Sequence, residues 1–323
     1  MTADGPSPDR RLRLRYDGRC RLCGVFLATG TSAIHERSSR TVRCIACTPA
    51  ITVDESSSTE ESRSPFQGND ELRLRGPASA VIAQTLRVQA GALPRPPMAR
   101  LFGRSPLSAE SRSWDLGAVG ELEVGRVLDN LGTGWWTLHA IPVGTAGSDI
   151  DHLVIGPAGV FTINSKFHEG KNIWVGARRL LVNGQRTDHL RNAAFEARRV
   201  AKILTSALGE PVVVGSIIAV VAARRITFKE QPADVTVLSS AQLLRWLHQR
   251  PVVLTPSESE RLLHLAMDLR TWGSPALEPA DLGSFAALRE SVSAARQRRR
   301  VWASVALLSP LLILAAGCLN QLR

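Results

Sequence analysis

Asp149, Asp151, Asn164 and Lys166 fall within one short stretch, SDIDHLVIGPAGVFTINSK, and their types suit work on a phosphate. A hard divalent cation takes oxygen ligands from carboxylates, and a nearby ammonium orients a water and offsets negative charge growing on a phosphoryl group. Packing explains such a group poorly, since Lys and Asp are rarely buried without partners. Two apolar runs, His152 to Ile155 and Val160 to Ile163, flank Gly156-Pro157-Ala158-Gly159, which predicts an antiparallel hairpin. With those four residues as the turn, Ile155 faces Val160, and counting outward sets Asp151 opposite Asn164 and Asp149 opposite Lys166. Strand side chains alternate faces, so the four polar residues share one face at the open end of the hairpin. His168 falls on the same face as an auxiliary group, either touching a phosphate or standing solvated at the strand end.

The flanking sequence supplies elements that could hold this hairpin. Trp114 to Leu131 has a helical apolar period and presents Glu121 near its first turn. Trp135 to Val143 leads into the hairpin as a strand. Phe167 to Gln185 reads as further strands, with Asn183-Gly184 a tight turn. Asp188 to Leu208 is an amphipathic helix whose Arg191, Arg198, Arg199 and Lys202 form a solvated face or brush a nucleic-acid backbone. Pro211 to Val221 is a continuous β-branched run, a strand buried on both faces. After a short strand, Val235 to Leu238, come two helices, Ser239 to Gln249 and one opened by Thr255-Pro256-Ser257-Glu258. This order predicts an α/β fold, a mixed sheet flanked by helices.

The residues GAVGELEVGRVLDNL and SDIDHLVIGPAGVFTINSK, with the helix that follows, resemble a NERD domain, the nuclease-related domain of the PD-(D/E)xK restriction-endonuclease-like superfamily. The resemblance runs roughly from Trp114 to Trp272. It implies that Glu121 is the helix glutamate, Asp151 the metal-binding aspartate and Lys166 the lysine of the ExK element. Asn164 departs from the pattern, standing where that element usually carries Glu or Gln, and Asp149 across the hairpin would supply a replacement charge. By this resemblance Glu121, Asp151 and Asn164 hold Mg2+ or Mn2+, and Lys166 aligns the attacking water. The implied activity is hydrolysis of phosphodiester bonds in nucleic acid, DNA foremost. Two other classes stay open: a nuclease fold that binds nucleic acid without cutting it, and a membrane-bound scaffold that docks a protein partner.

Composition bounds the remainder. A chain of 323 residues, 44% hydrophobic, can bury a sizeable core in one or two domains with tails. Its net charge of +11 invites a polyanion partner, but all except four of the 40 basic residues are Arg. Such a ratio reflects coding bias and weakens the inference from charge alone. It also sharpens the meaning of Lys166, since a chain that defaults to Arg has placed a compact amine there. Cys20-x2-Cys23 and Cys44-x2-Cys47 have the spacing of a zinc ribbon, four thiolates around one structural Zn2+, with a redox CxxC as the rival reading. That ribbon would dock nucleic acid or a protein partner, or serve only as a metal-stapled cap.

The first twenty residues have no apolar core of the kind a secretory signal needs. Val301 to Leu319 is uncharged and long enough for one transmembrane helix, and the arginines at 296 and 298–300 predict a cell-membrane protein with its bulk in the cytoplasm. The alternative for that run is a buried or partner-binding helix. The expected division is a zinc-ribbon-like module over 1–50, a mostly disordered linker over 51–113 and a nuclease-like domain over 114–273. A basic juxtamembrane linker over 274–300 and the membrane helix over 301–319 complete it.

Overall fold

A computed structural model describes residues 10–15, 18–20, 25–36, 41–45, 71–143, 148–273 and 280–321. The chain divides into two compact units, Met1–Ser62 and Arg63–Arg323.

The first unit is built from short strands: β1 (Arg10–Arg13), β2 (Gly18–Arg19), β3 (Phe26–Leu27), β4 (Ser32–Glu36) and β5 (Thr41–Cys44). β4 pairs antiparallel with β1 and β5, and β2 pairs with β3. Leu14, Cys20, Leu27 and Ala33 form its core. The backbone N–H of Cys44 donates to Sγ of Cys20 at 3.2 Å, so one cysteine of each expected pair meets the other. Cys23 and Cys47 lie outside the described residues, and among the described residues no group of three His, Cys, Asp or Glu is gathered to hold a metal ion. The expected zinc site is therefore not seen among the described residues.

The second unit begins with helices where a linker was expected. α1 (Glu71–Leu74), α2 (Ser79–Ala90) and α3 (Pro97–Leu101) occupy the stretch before α4 (Ala109–Leu128). Proline spacing suggested irregular chain, yet Ile82 of α2 is buried with Ala118 of α4 and Phe285, so tertiary burial stabilises the helix. The Ser108 side chain accepts from the Ser111 backbone N–H and caps α4 well before Trp114. Glu121 consequently sits in the body of the helix, not in its first turn.

The strands that follow are β6 (Trp136–Val143), β7 (Ser148–Gly156), β8 (Gly159–Phe167), β9 (Asn172–Gly176), β10 (Arg179–Val182) and β11 (Gln185–Thr187). After α5 (His189–Leu208) come β12 (Val214–Val221), β13 (Arg225–Phe228) and β14 (Thr236–Ser239), then α6 (Leu243–His248), α7 (Pro256–Met267) and α8 (Leu282–Gln321). The main sheet has the order β14-β12-β8-β7-β6, parallel across β14-β12-β8 and antiparallel across β8-β7-β6. A second sheet, β11-β10-β9-β13, adjoins it through a shared core with β12 and α5. The protein is thus mixed α/β with mixed sheets flanked by helices.

Alternation along the strands sorts the two faces of the main sheet. Leu153, Ile155 and Val160 pack with Val200 and Leu204 of α5 and Leu262 of α7. Val154, Phe161 and Ile163 pack on the other side with Val124 and Leu128 of α4 and Leu247 of α6. β12, whose Ile217 and Ile218 enter different clusters, is buried on both faces.

α8 spans both of the C-terminal segments that the sequence set apart. The stretch from Leu282 to Arg300 is helix rather than linker, and the run beginning at Val301 continues it without a break. Phe285 is buried against α2 and α4, and the Trp302 indole N–H donates to the Leu101 carbonyl at 2.9 Å. Among the described residues no helix is long and apolar enough to cross a membrane.

Gly120 sets the distance between α4 and β8. A Cβ there would stand 3.1 Å from Cβ of Phe167 and 3.4 Å from its backbone nitrogen, so the helix rests almost directly on the strand. Replacing Gly120 with Val overpacks this contact and is expected to destabilise the fold by about 1–3 kcal/mol. The readout is the urea midpoint of the full chain; a midpoint equal to that of the unaltered protein would mean that α4 does not rest on β8.

Candidate functional site

The hairpin of β7 and β8 carries the residues whose chemistry stood out. Its register pairs Ile155 with Val160 and Gly156 with Gly159, as the Gly-Pro-Ala-Gly turn requires. Pairing between the two strands ends at His152–Ile163, although both strands continue. Beyond that point β7 stays paired to β6 through Ile150–Ile141 and Asp149–Pro142, while β8 stays paired to β12 through Asn164–Ile218 and Lys166–Val220. The sheet therefore opens between Asp151 and Asn164. The Ser165 backbone N–H, freed from the ladder, donates instead to Oδ2 of Asp151 at 2.7 Å and fixes that carboxylate in the opening.

Four carboxylates act on one another here: Glu121 from α4, Asp149 and Asp151 from β7, and Glu196 from α5. Glu196 was not singled out by sequence reasoning. Its Oε2 accepts from the Asn164 amide at 3.2 Å, which joins α5 to β8. Burial, followed by the charges of Asp151 and Asp149, holds the Glu121 carboxyl well above its ordinary range. Burial and then Asp151 push Asp149 up to about 6 and Glu196 up to about 8. Asp151 is also raised by burial, against the opposing pull of Lys166 and of the Ser165 amide. Lys166 favours the ionised form of all four, while Arg75 does so for Asp149. The Lys166 ammonium itself donates to the Ser165 carbonyl at 3.2 Å, a bond to backbone that leaves donors to spare.

Several oxygens of this group have no protein partner. Glu121 Oε2, Asp149 Oδ2, Asn164 Oδ1 and Glu196 Oε1 are buried without a hydrogen bond. Unsatisfied buried oxygens are costly, and four in one place call for a cation or ordered water. A cavity of ≈ 160 Å³ lined by Asp149, Asn192 and Glu196 adjoins them. Among the described residues no three of His, Cys, Asp or Glu are gathered to hold an ion by themselves. Mg2+, which retains most of its water and takes only one or two carboxylates directly, does not require such a cluster.

His168 lies near Lys166 but in a neutral state. Burial first, then Lys166 and Lys171, lower its affinity for a proton, and its ring stacks on His189 with centroids 5.5 Å apart. On the other side of β7, His139 Nδ1 and His152 Nδ1 are 2.8 Å apart, and His152 Nε2 is 3.0 Å from the Ser165 hydroxyl. One of the two Nδ1 atoms must carry a proton and the other accept it. Burial keeps both rings neutral, His139 being lowered to about 4. This chain braces Ser165, the residue whose amide holds Asp151.

With this geometry in view, comparison with known families finds one correspondence. Residues 116–222 match the family described as NERD, nuclease-related domain. No curated protein and no solved structure matches the chain. The matched residues contain the opened hairpin, Glu121 and Glu196, so they enclose the whole carboxylate group.

The raised carboxyls give a pH signature whose sign can be worked out. Glu196 ordinarily titrates at 4.5 and in the fold at about 8, so across that interval the folded chain holds a proton that the unfolded chain has released. The associated stability is complete below 4.5 and is lost as the pH rises through about 8. The buried histidines act in the opposite direction, because their folded values lie below the unfolded 6.5, and their contribution is nearly complete about one unit above 6.5. With a chelator present, the urea midpoint is expected to fall as pH rises from about 7.5 to about 8.5, and to fall less steeply in Glu196→Gln. Parallel curves for the two proteins would mean that Glu196 is already ionised in the fold.

Proposed function

We propose that this domain hydrolyses phosphodiester bonds in nucleic acid, DNA foremost, with Mg2+ or Mn2+ at the opened end of the β7–β8 hairpin. The observation that carries the reading is the set of buried oxygens without partners on Glu121, Asp149, Asn164 and Glu196, gathered around Asp151 and one lysine. Such a donor set is made of hard oxygens and suits a hard divalent cation. The match of residues 116–222 to a nuclease-related domain supports the same class.

When bound, the cation would neutralise charge on the phosphate and favour a nucleophilic water at neutral pH. Asp151, fixed by the Ser165 amide, and Glu196 are the residues best placed to hold it, with Asn164 contributing a neutral oxygen. Glu196 then provides the negative charge that position 164 lacks. Glu121 enters from α4, where the close rest of Gly120 on Phe167 brings the helix to the strand. Lys166 orients the attacking water and offsets charge on the non-bridging phosphate oxygens through donors not used by a carboxylate.

For the first unit we propose a structural zinc bound by Cys20, Cys23, Cys44 and Cys47, supported by the spacing of the pairs and by the Cys44 amide directed at Cys20 Sγ.

Two experiments test these readings. Purified full-length chain should nick DNA with Mg2+ or Mn2+ and not with a chelator, and Lys166→Ala or Glu196→Ala should lower the rate by about a hundredfold or more. Nicking that survives either substitution removes that residue from the mechanism, and none in any metal leaves a nuclease fold that binds without cutting. Elemental analysis of the same protein should find zinc, reduced in Cys20→Ser; equal zinc in both proteins would end the ribbon assignment.

A further inference from the structure

We propose that the cleft between α4 and α8 seats the phosphates of a single nucleic-acid strand beside the carboxylate site. The inference rests on the hydrolytic reading for the identity of the polyanion, but not for the existence of the cleft. The cleft has a volume of ≈ 390 Å³ and is walled by Arg112 and Asp115 on the α4 side, Phe167 and Glu169 beside β8, and Arg289, Arg296 and Arg299 from α8. A space of that size admits a few linked phosphates, not a double helix.

Its charge is unbalanced. Asp115 is only 2% exposed and pairs with Arg289 at 2.7 Å, while exposed Glu169 stands 3.6 Å from Arg296. Among the described residues Arg112 and Arg299 have no carboxylate within ion-pair distance. Arg95, Arg100 and Arg298 gather nearby, and burial together with the two neighbouring guanidiniums lowers the proton affinity of Arg95. Cations crowded in this way repel one another, and a polyanion relieves the repulsion.

The cleft is also built rather than incidental. Gly103 has φ +71°, and a Cβ there would stand 2.4 Å from the Ala295 carbonyl oxygen and 2.5 Å from the Arg299 nitrogen, so the chain after α3 lies on the α8 backbone. Trp302 closes the same junction by its hydrogen bond to Leu101 and its ring contact with Phe102 at 5.1 Å. Position favours nucleic acid over a lipid surface, because the inner wall includes Phe167, which directly follows Lys166 and touches Gly120 beside Glu121. A strand lying in the cleft would lead into the reactive phosphate. All four lining arginines fall outside the residues that match the nuclease-related family.

The test uses the full chain, a fluorescein-labelled single-stranded DNA oligonucleotide and a chelator that prevents cleavage. Each phosphate contact contributes about 0.7 to the salt slope on a single strand, so the triple variant Arg112→Ala, Arg296→Ala, Arg299→Ala should lose about 2 in that slope and bind about tenfold or more weakly. Glu169→Lys, which adds charge to the wall, should bind more tightly, so the proposal stays testable even where the triple variant fails to fold. Unchanged slope and affinity in both variants would overturn it. So would variants that lose binding only to vesicles of phosphatidylglycerol and phosphatidylcholine, which would assign the arginines to a membrane surface. Cleavage by the unaltered chain with cleft-independent binding rejects the cleft and leaves the nuclease reading. Cleft-dependent binding with no cleavage in any metal does the reverse.

Discussion

The structure depends most on how it tolerates four carboxylates held together, one buried and three half-buried. Burial disfavours the ionised form of each, and each makes the others harder to ionise. Lys166, with Arg75 acting on Asp149, offsets only part of this. Packing alone would select apolar residues at such positions, since replacing buried charges by well-fitted apolar groups is often neutral or stabilising. The cost is intelligible if the group exists to meet a cation and a phosphate.

The sheet makes that group reachable by failing to pair. β8 remains joined to β12 and β7 remains joined to β6, so the ladder between β7 and β8 can stop without loss of either strand. The Ser165 amide then has Asp151 as its acceptor, and Ser165 is held from behind by His152 and His139. Those histidines are kept neutral by burial, so they stiffen the strand without adding charge to it. α4 and α5 close on the opening from opposite faces, bringing Glu121 and Glu196 to the same place from elements that share no sequence proximity.

How far the sequence disclosed this follows from the range of each interaction. The turn at Gly156 to Gly159 is local chemistry, and it set the hairpin register through to Gly156–Gly159 and Ile155–Val160. The strands and helices after Lys166 were legible for the same reason, with β13 the omission, because it has four residues and pairs only with distant β9. Glu196 was hidden because α5 reads as an ordinary amphipathic helix, and a glutamate on it signals nothing until Asn164 is found beside it. A sharper question was available: a chain missing a carboxylate on a strand must find one elsewhere if its site is to hold a cation. The apolar piece from Ala80 to Val88 hinted at α2, and the run from Val301 at part of α8, but the extent of both helices depends on mutual burial, as at Ile82 and Phe285, which the sequence does not display.

The Asn164–Glu196 hydrogen bond bears on what a departure from a sequence pattern means. Read along the chain, an amide where a strand usually carries Glu or Gln looks like a loss. In space the amide donates to a carboxylate from α5, so this pair offers two oxygens without partners, Asn164 Oδ1 and Glu196 Oε1, and one negative charge once a cation displaces the Glu196 proton. An acid on the strand facing an amide on the helix would present the same charge and the same kinds of atom. A cation responds to oxygens and to field, not to which backbone supplies them. Asn164 therefore does not by itself diminish the site, and the property that must be preserved is the charge of the pair rather than the identity of either member.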